Sequence, residues 1–277
     1  MSLVRRFCQV DVFAEVPYAG NPVAVVLDAE GLSTEQMQRF AAWTNLSETA
    51  FVVPPTLATA DYALRMFTPS TELPFAGHPT LGTCHAWISA TGTIKDRVVQ
   101  ECKAGAIPIR RNGEVLAFAA PPLVRSGPVD EPLLAEIAAG LRIDRTEIVD
   151  AQWVDNGPGW VAVLLADADA VRALWPGNLG SLYVGAIGPH PPGSPTAFEV
   201  RAFFPKNGRT AEDPVTGSLN ASLGEWLLRT GRAQAPYVTS QGGALGRHGR
   251  VHISADDDGT IWVGGRTITC VTGTVSL

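Results

Sequence analysis

The chain has 277 residues, of which 45% are hydrophobic and 17% charged, so it can bury an ample core and is long enough for two domains. The formal net charge is −6 and no basic run is longer than a pair, which argues against a nucleic-acid partner. No window approaches the ~20 apolar residues that a membrane-spanning helix needs, and the first residues lack the apolar stretch of a signal peptide. We therefore expect a cytoplasmic protein with no membrane partner.

The four cysteines, Cys8, Cys84, Cys102 and Cys270, are scattered and form no C-x-x-C pair. This spacing gives no support for a disulfide framework or a zinc site, and it favours cysteines that serve as small buried hydrophobes. His248 and His252 are four residues apart, but a glycine interrupts the segment and the residues after it read as a strand. We expect no metal site there.

Local patterns predict the elements of the first half. Residues 7–13 alternate apolar and polar, which is typical of a strand with one buried face. Ser33 and Gln36 form the sequence signature of a capping box, and apolar residues follow at helical spacing, which predicts a helix over 34–44. The other predicted elements of this half are strands at 23–27, 49–53, 62–67, 98–102, 107–111 and 116–119, and a helix at 79–89.

The second half repeats the first. Arg65 aligns with Arg201, 136 residues later (201 − 65), and residues 24–27 and 104–107 recur at an offset of 138. Three segments in the same order at nearly constant spacing indicate an internal duplication. The predicted elements of this half are strands at 161–165, 198–204 and near 237, 251 and 261, and helices at 168–174 and 214–229.

The duplication predicts two domains, residues 1–125 and 126–277, that meet in the Pro/Gly/acidic stretch 120–132. We leave open that the last strand packs back on the first domain. The helices at 79–89 and 214–229 have almost no charge, so both are expected to be buried, and their glycines would permit close packing. The fold class is therefore α+β, with two pseudo-symmetric domains, each a mixed β-sheet curled around a central α-helix, and a cleft between them.

Both central helices are predicted to begin with a proline, at Pro79 and Pro214. His78 and Asp213 stand directly before them, and the unpaired N–H groups of a helix N-terminus attract anions such as a substrate carboxylate. A structural role is the alternative for each, since Asp213 before Pro214 is also a strong N-cap signature. Ser218, inside the second helix, offers a hydroxyl to a ligand, although such a serine is usually simple packing.

Glu48 is the third candidate, and the second half has no acid at the corresponding place. On spacing alone, a charged residue directly before a strand would more often face water. The sequence contains neither G-x-G-x-x-G between a strand and a helix nor a P-loop, so we expect no nucleotide cofactor.

At these residues the chain resembles the PhzF family of phenazine-biosynthesis isomerase-like proteins, which share the diaminopimelate epimerase fold. The resemblance covers essentially the whole chain and rests on QVDVFAEVPYAGNPVAVVLDA, NLSETAFV, FTPSTELPFAGHPTLGT, EDPVTGS and SQGGALGR. It implies a cofactor-independent isomerase, commonly a homodimer, that acts on trans-2,3-dihydro-3-hydroxyanthranilate or a similar small cyclic amino or hydroxy acid.

The resemblance also implies roles for single residues. Glu48 would be the acid/base that shuttles the proton, with a pKa raised towards neutrality by desolvation, and His78 and Asp213 would line the site. Substrate binding is implied for Gly77, Gly217 and Ser218.

Two features depart from relatives of this fold. Diaminopimelate epimerase uses a cysteine from each domain, and the loops 68–83 and 209–222 contain none, which disfavours a two-thiol racemase. Residues 246–249, Gly-Arg-His-Gly, replace the expected Gly-Arg-Pro-Ser. An epimerase that uses Glu48 and Asp213 as opposed bases, and a family member that only binds a small molecule, remain the alternatives.

Overall fold

The computed structural model describes residues 3–277 and consists of mixed β-sheet with few helices. The helices are α1 (Thr34–Thr44), α2 (Gly77–Thr91), α3 (Glu131–Leu141), α4 (Ala168–Ala173) and α5 (Gly217–Arg229), with 3-10 turns at Arg145–Glu147 and Gly243–Leu245. The strands are β1 (Val4–Val12), β2 (Asn21–Val26), β3 (Thr49–Val53), β4 (Tyr62–Phe67), β5 (Glu72–Leu73), β6 (Arg97–Cys102), β7 (Gly105–Asn112), β8 (Val115–Ala119), β9 (Arg125–Pro128), β10 (Asp150–Asp155), β11 (Trp160–Leu164), β12 (Tyr183–Pro189), β13 (Phe198–Lys206), β14 (Arg209–Asp213), β15 (Tyr237–Gln241), β16 (Gly249–Ala255) and β17 (Ile261–Ser276).

Contacts between residues divide the chain into two compact units. The first comprises the described residues up to Ala119 together with Gly264–Leu277, and the second is Ala120–Val263. The first unit is therefore built from two separate stretches of chain. Among the described residues, no helix has the length and apolar character needed to cross a membrane.

The strands of the first unit form a closed ring around α2. The pairing runs from β1 through β2, β3, β4, β6, β7 and β8 to β17, which pairs with β1 again. The pairs β2–β3 and β4–β6 are parallel, and the other pairs with a defined register are antiparallel. Helix α2 contacts six of these strands and buries nine of its residues, as its uncharged sequence predicted.

Glycine allows α2 to lie this close to the strands. A Cβ atom at Gly82 would stand 2.4 Å from Cγ1 of Val23 and 3.0 Å from Cγ2 of Val12, so any larger residue would have to push the strands outward. The predicted start of α2 at Pro79 is wrong, because the helix begins at Gly77 and its first backbone hydrogen bond runs from Thr80 N to Ala76 O. Pro79 lies within the first turn, where its missing N–H has no helical partner to lose.

Helix α1 matches its prediction. The Ser33 hydroxyl accepts from Gln36 N at 3.3 Å, and the Gln36 side chain accepts from Ser33 N at 2.8 Å, which completes the capping box. Met37, Phe40 and Ala41 are its buried face. The capping box joins residues only three apart, so the sequence alone could predict it.

The second unit pairs β9 with β10, β10 with β11, β11 with β12, β12 with β13, β13 with β15, and β15 with β16. Helix α5 packs against β10 and β16 and contributes Leu219, Leu223, Trp226 and Leu227 to a buried apolar core. Helix α3 was not predicted, although only its first two residues fall in the stretch 120–132 assigned to the domain junction. Its signals were present, with Asp130 accepting from Leu133 N as an N-cap and Pro132 in the first turn.

The prediction that α5 begins at Pro214 with Asp213 as its N-cap is also wrong. The helix begins at Gly217, its N-cap is Thr216, and Asp213 is the last residue of β14. The reason is a side chain distant in sequence, since the amide oxygen of Gln241 accepts from Thr216 N at 3.0 Å and ties this backbone to β15. Pro214 therefore lies in a turn.

Both units contain the same arginine motif. Arg65 donates two hydrogen bonds to Glu72, at 2.7 and 2.9 Å, and Arg201 donates two to Glu212, at 2.9 and 2.7 Å. Each guanidinium also lies 5.1–5.2 Å from the ring centroid of the phenylalanine two residues onward. The aligned arginines thus have the same local structure in both halves of the sequence.

Candidate active site

Glu48 and His78 meet in the first unit. Glu48 directly precedes β3, and His78 is the second residue of α2. Glu48 Oε2 and His78 Nε2 are 3.2 Å apart, and the two side chains are only 16% and 6% exposed. The solvated alternative for Glu48 is therefore wrong, and two of the predicted site residues form one buried pair beside Gly77, the first residue of the helix.

His78 is a neutral imidazole. Burial lowers its pKa to about 3, although the hydrogen bond with the Pro22 backbone acts in the opposite direction. The carboxylate at 3.2 Å would also favour the protonated form, but removal from water is the larger effect for a side chain buried this completely. At neutral pH any charge on the Glu48–His78 pair is therefore the negative charge of the Glu48 carboxylate.

The connection between β1 and β2, residues 13–20, leads to Asn21, which lies beside the other ring nitrogen of His78. Both carboxylate oxygens of the buried Asp11 accept from Gly20 N, at 3.2 and 3.0 Å. Only glycine fits there, because a Cβ would stand 2.1 Å from Val12 O. This connection places Asn21 Nδ2 3.4 Å from His78 Nδ1. Asp11 and Asn21 were missed as supporting residues, although the AGNP segment that contains Asn21 was part of the resemblance.

Asp213, Gly217 and Ser218 lie in the second unit. The Thr216 hydroxyl donates to Asp213 Oδ2 at 2.6 Å. The Ser218 hydroxyl accepts from the indole N–H of Trp160 at 3.1 Å, which leaves its own proton available for a ligand. Trp160 and Thr216 were not predicted as supporting residues.

The two central helices begin in the same way. Neither Ala76 nor Thr216, their N-caps, makes a side-chain capping bond, so first-turn N–H groups of both helices are available to an anion. Gly77-His78 and Gly217-Ser218 are the first two residues of α2 and α5. The prediction that His78 and Asp213 both stand directly before their helices is therefore wrong, because His78 is the second residue of α2 and the second residue of α5 is Ser218.

The cysteines do not provide a base. Burial raises the pKa of all four thiols, to about 11 for Cys8 and about 12 for Cys84 in α2. None of them is a thiolate at neutral pH, which agrees with the prediction against a two-thiol racemase. Across residues 3–277, no cluster of three or more His, Cys, Asp or Glu side chains could hold a metal ion.

Comparison with known proteins gives consistent matches along the chain. A family model described as phenazine biosynthesis-like protein (PhzC-PhzF) matches residues 10–273. The trans-2,3-dihydro-3-hydroxyanthranilate isomerase of Pseudomonas aeruginosa is 35% identical over 269 residues, which cover 92% of each chain. Antisense-enhancing sequence 1 of Schizosaccharomyces pombe is 34% identical over 297 residues, 97% of this chain and 98% of the other. The crystal structure of a PhzF-family phenazine biosynthesis protein from Enterococcus faecalis superposes with a TM-score of 0.80 at 28% identity and covers 100% of both chains.

Proposed function

Because the chain belongs to the PhzC-PhzF family of phenazine biosynthesis-like proteins, we propose that it is an isomerase that moves a proton by general acid/base catalysis. The proposed substrate is a small cyclic amino or hydroxy acid, with trans-2,3-dihydro-3-hydroxyanthranilate as the first candidate, since a relative 35% identical to this chain carries that name. We propose that the reaction needs no cofactor.

The buried Glu48–His78 pair carries this proposal. An intramolecular isomerisation takes a proton from one carbon and returns one to another, and a single carboxyl group can do both when it is shielded from water. Glu48 fits this task because it is 16% exposed and its neighbour is a neutral imidazole. Because His78 carries no positive charge, it does not hold Glu48 in the ionised form.

The proton on His78 determines how it assists Glu48. Proline has no N–H, so the hydrogen bond between His78 and the Pro22 backbone requires the ring to donate to the Pro22 carbonyl. We assign this proton to Nδ1, so the 3.4 Å approach of Asn21 Nδ2 to that nitrogen is a contact and not a hydrogen bond. Nε2 then presents a lone pair to Glu48 at 3.2 Å and would accept from the carboxyl group after it has taken up the substrate proton.

We assign substrate binding to Gly77 and to the second-unit residues Gly217, Ser218 and Asp213. The free first-turn N–H groups and the Ser218 hydroxyl suit a substrate carboxylate. Asp213 suits an amine or hydroxyl group of a substrate. We also propose that the protein is a homodimer in the cytoplasm, which light scattering and fractionation would test.

The decisive experiment is Glu48→Gln with the candidate substrate in D₂O. We expect the wild-type product to contain deuterium or to show internal transfer of the substrate proton, and we expect the variant to lose turnover by at least ~10²-fold with ligand binding retained. Glu35→Gln, at a carboxylate on the surface of α1, is the matched control and should keep full activity.

Other results would contradict the assignment in distinct ways. Full turnover by Glu48→Gln would show that Glu48 is not the acid/base. Loss of optical rotation without a shift of a double bond would identify an epimerase. Thermal stabilisation by substrate candidates with no product would identify a small-molecule-binding protein.

A further inference from the structure

A buried chain of side-chain hydrogen bonds in the second unit ends at Asp213. The Thr239 hydroxyl donates to Asn220 Oδ1 at 2.7 Å, and Asn220 Nδ2 donates to Gln241 Oε1 at 2.9 Å. Gln241 Nε2 donates to Thr216 Oγ1 at 2.9 Å, and Thr216 Oγ1 donates to Asp213 Oδ2 at 2.6 Å. The side chains of Thr239, Asn220, Gln241 and Thr216 are almost fully buried. Each of these hydrogen bonds is donated in the direction of Asp213.

Backbone groups fix the direction of this chain. Gln241 Oε1 also accepts from Thr216 N at 3.0 Å, and Gln241 Nε2 also donates to Asp213 O at 3.2 Å. A backbone N–H can only donate and a carbonyl can only accept, so the Gln241 amide has a single orientation. Asn220 is fixed likewise, because its Nδ2 donates to Thr216 O at 2.9 Å.

We propose that Gln241 and Thr216 are positioning residues that hold the Asp213 carboxylate ready for substrate. Since Gln241 already donates to the Thr216 oxygen, the hydroxyl proton of Thr216 is directed at Asp213 Oδ2. The Thr216 hydroxyl thereby fixes one oxygen of the Asp213 carboxyl group, and no proton moves along these hydrogen bonds. The inference rests on the proposed substrate-binding role of Asp213.

Glycines bring Gln241 into reach of this turn. A Cβ at Gly242 would stand 2.5 Å from Pro214 O, and one at Gly249 would stand 2.4 Å from Cγ2 of Val215. The segment SQGGALGRHG therefore packs directly on the residues between Asp213 and Thr216. Its departure from the expected Gly-Arg-Pro-Ser leaves Gln241 and Gly242 in place, whereas Gly249 stands where that pattern has serine.

The first unit has a buried glutamine, Gln100, on the corresponding strand, at the register position of Thr239, and its side chain reaches no acid. Gln100 lies on β6, which pairs in parallel with β4, just as β15 pairs in parallel with β13. Its Oε1 accepts from the Tyr62 hydroxyl and its Nε2 donates to Thr80 Oγ1, both at 3.0 Å. Thr80 is the fourth residue of α2, as Asn220 is of α5. A substitution at Gln100 is therefore a control for the loss of a buried side-chain amide that does not contact Thr216 or Asp213.

The first test compares Thr216→Val with Thr216→Ser. The valine removes the hydroxyl, so we expect the acidic limb of the pH profile of kcat/KM to move up by roughly one pH unit, and the titration of the ¹³C-labelled Asp213 carboxyl to move with it. The serine keeps the hydroxyl and should behave as the wild type. Equal titration of Asp213 in both variants would overturn the inference.

The second test compares Gln241→Glu with Gln100→Glu. An ionised carboxylate cannot donate to Thr216, so Gln241→Glu should also raise the Asp213 titration, whereas Gln100→Glu should lower stability and leave that titration unchanged. Equal shifts in both variants, or none in either, would contradict the proposal. The NMR readout needs no turnover, so it decides the role of the chain even if Glu48→Gln shows that the proposed reaction is wrong.

Discussion

The first turns of α2 and α5 share a backbone and differ in chemistry. Both start with glycine after an extended N-cap that makes no side-chain bond. The second residue is a buried neutral histidine beside Glu48 in α2, and a serine held by Trp160 in α5. The two helix N-termini are therefore alike in backbone but not in side chains, since a carboxyl and an imidazole group meet at α2, whereas hydroxyl and indole groups meet at α5.

The largest expected difference between the units concerns their arginine motifs. Arg201 and Glu212 are 6% and 10% exposed, whereas Arg65 is 28% exposed. Arg201→Met leaves a buried carboxylate without its partner and should lower the free energy of unfolding by about 3–5 kcal/mol. Arg65→Met should cost about 1 kcal/mol, since water and Lys103 remain near Glu72. Urea unfolding would measure both, and equal losses would contradict the difference in burial.

The next effect is a pH dependence that belongs to the first unit. The pKa of His78 is about 3 in the folded protein and ordinarily 6.5, so the unfolded chain binds the proton more readily between these values. Stability should rise with pH across this window and become flat above it, with about 2 kcal/mol gained between pH 5 and 6.5. His78→Gln should lose this part of the slope, which unfolding curves at several pH values would reveal. An unchanged slope would show that His78 titrates normally.

The smallest effect compares a glycine in each central helix. The Cβ of Gly82→Ala would lie 2.4 Å from Val23, so this variant should lose about 1–3 kcal/mol through overpacking. At Gly224 the nearest atom is 3.3 Å away, and the better helix propensity of alanine should offset most of the contact. Thermal unfolding would rank the two variants, and the reverse order would mean that α5 is the more tightly enclosed helix.

Local signals in the sequence predicted much of the fold. The Ser33 capping box predicted the start of α1, and the scarcity of charged residues in α2 and α5 predicted their burial. The start of α5 could not be predicted, because a preference for proline in the first turn competed with the side chain of Gln241, 25 residues beyond Thr216. Short-range rules contain no information on such a contact.

The candidate site also depends on contacts between residues that are distant in sequence. Glu48 became the first choice for the acid/base only through family resemblance, since its burial against His78 joins residues from separate elements. Asp11 and Asn21 were missed for a related reason. Each is a polar residue in a strand, and its importance depends on which backbone or ring atom the fold brings opposite it.

The ring of strands around α2 has a consequence for synthesis on the ribosome. Its closing strand, β17, pairs Val4 with Ser276 and reaches β1 only after the whole second unit has been translated. An emerging chain therefore exposes two unpaired strand edges, on β1 and β8, for as long as residues 120–263 are being made. We expect the nascent first unit to need a chaperone or rapid translation, and residues 267–276 to be the ones that complete its ring of strands.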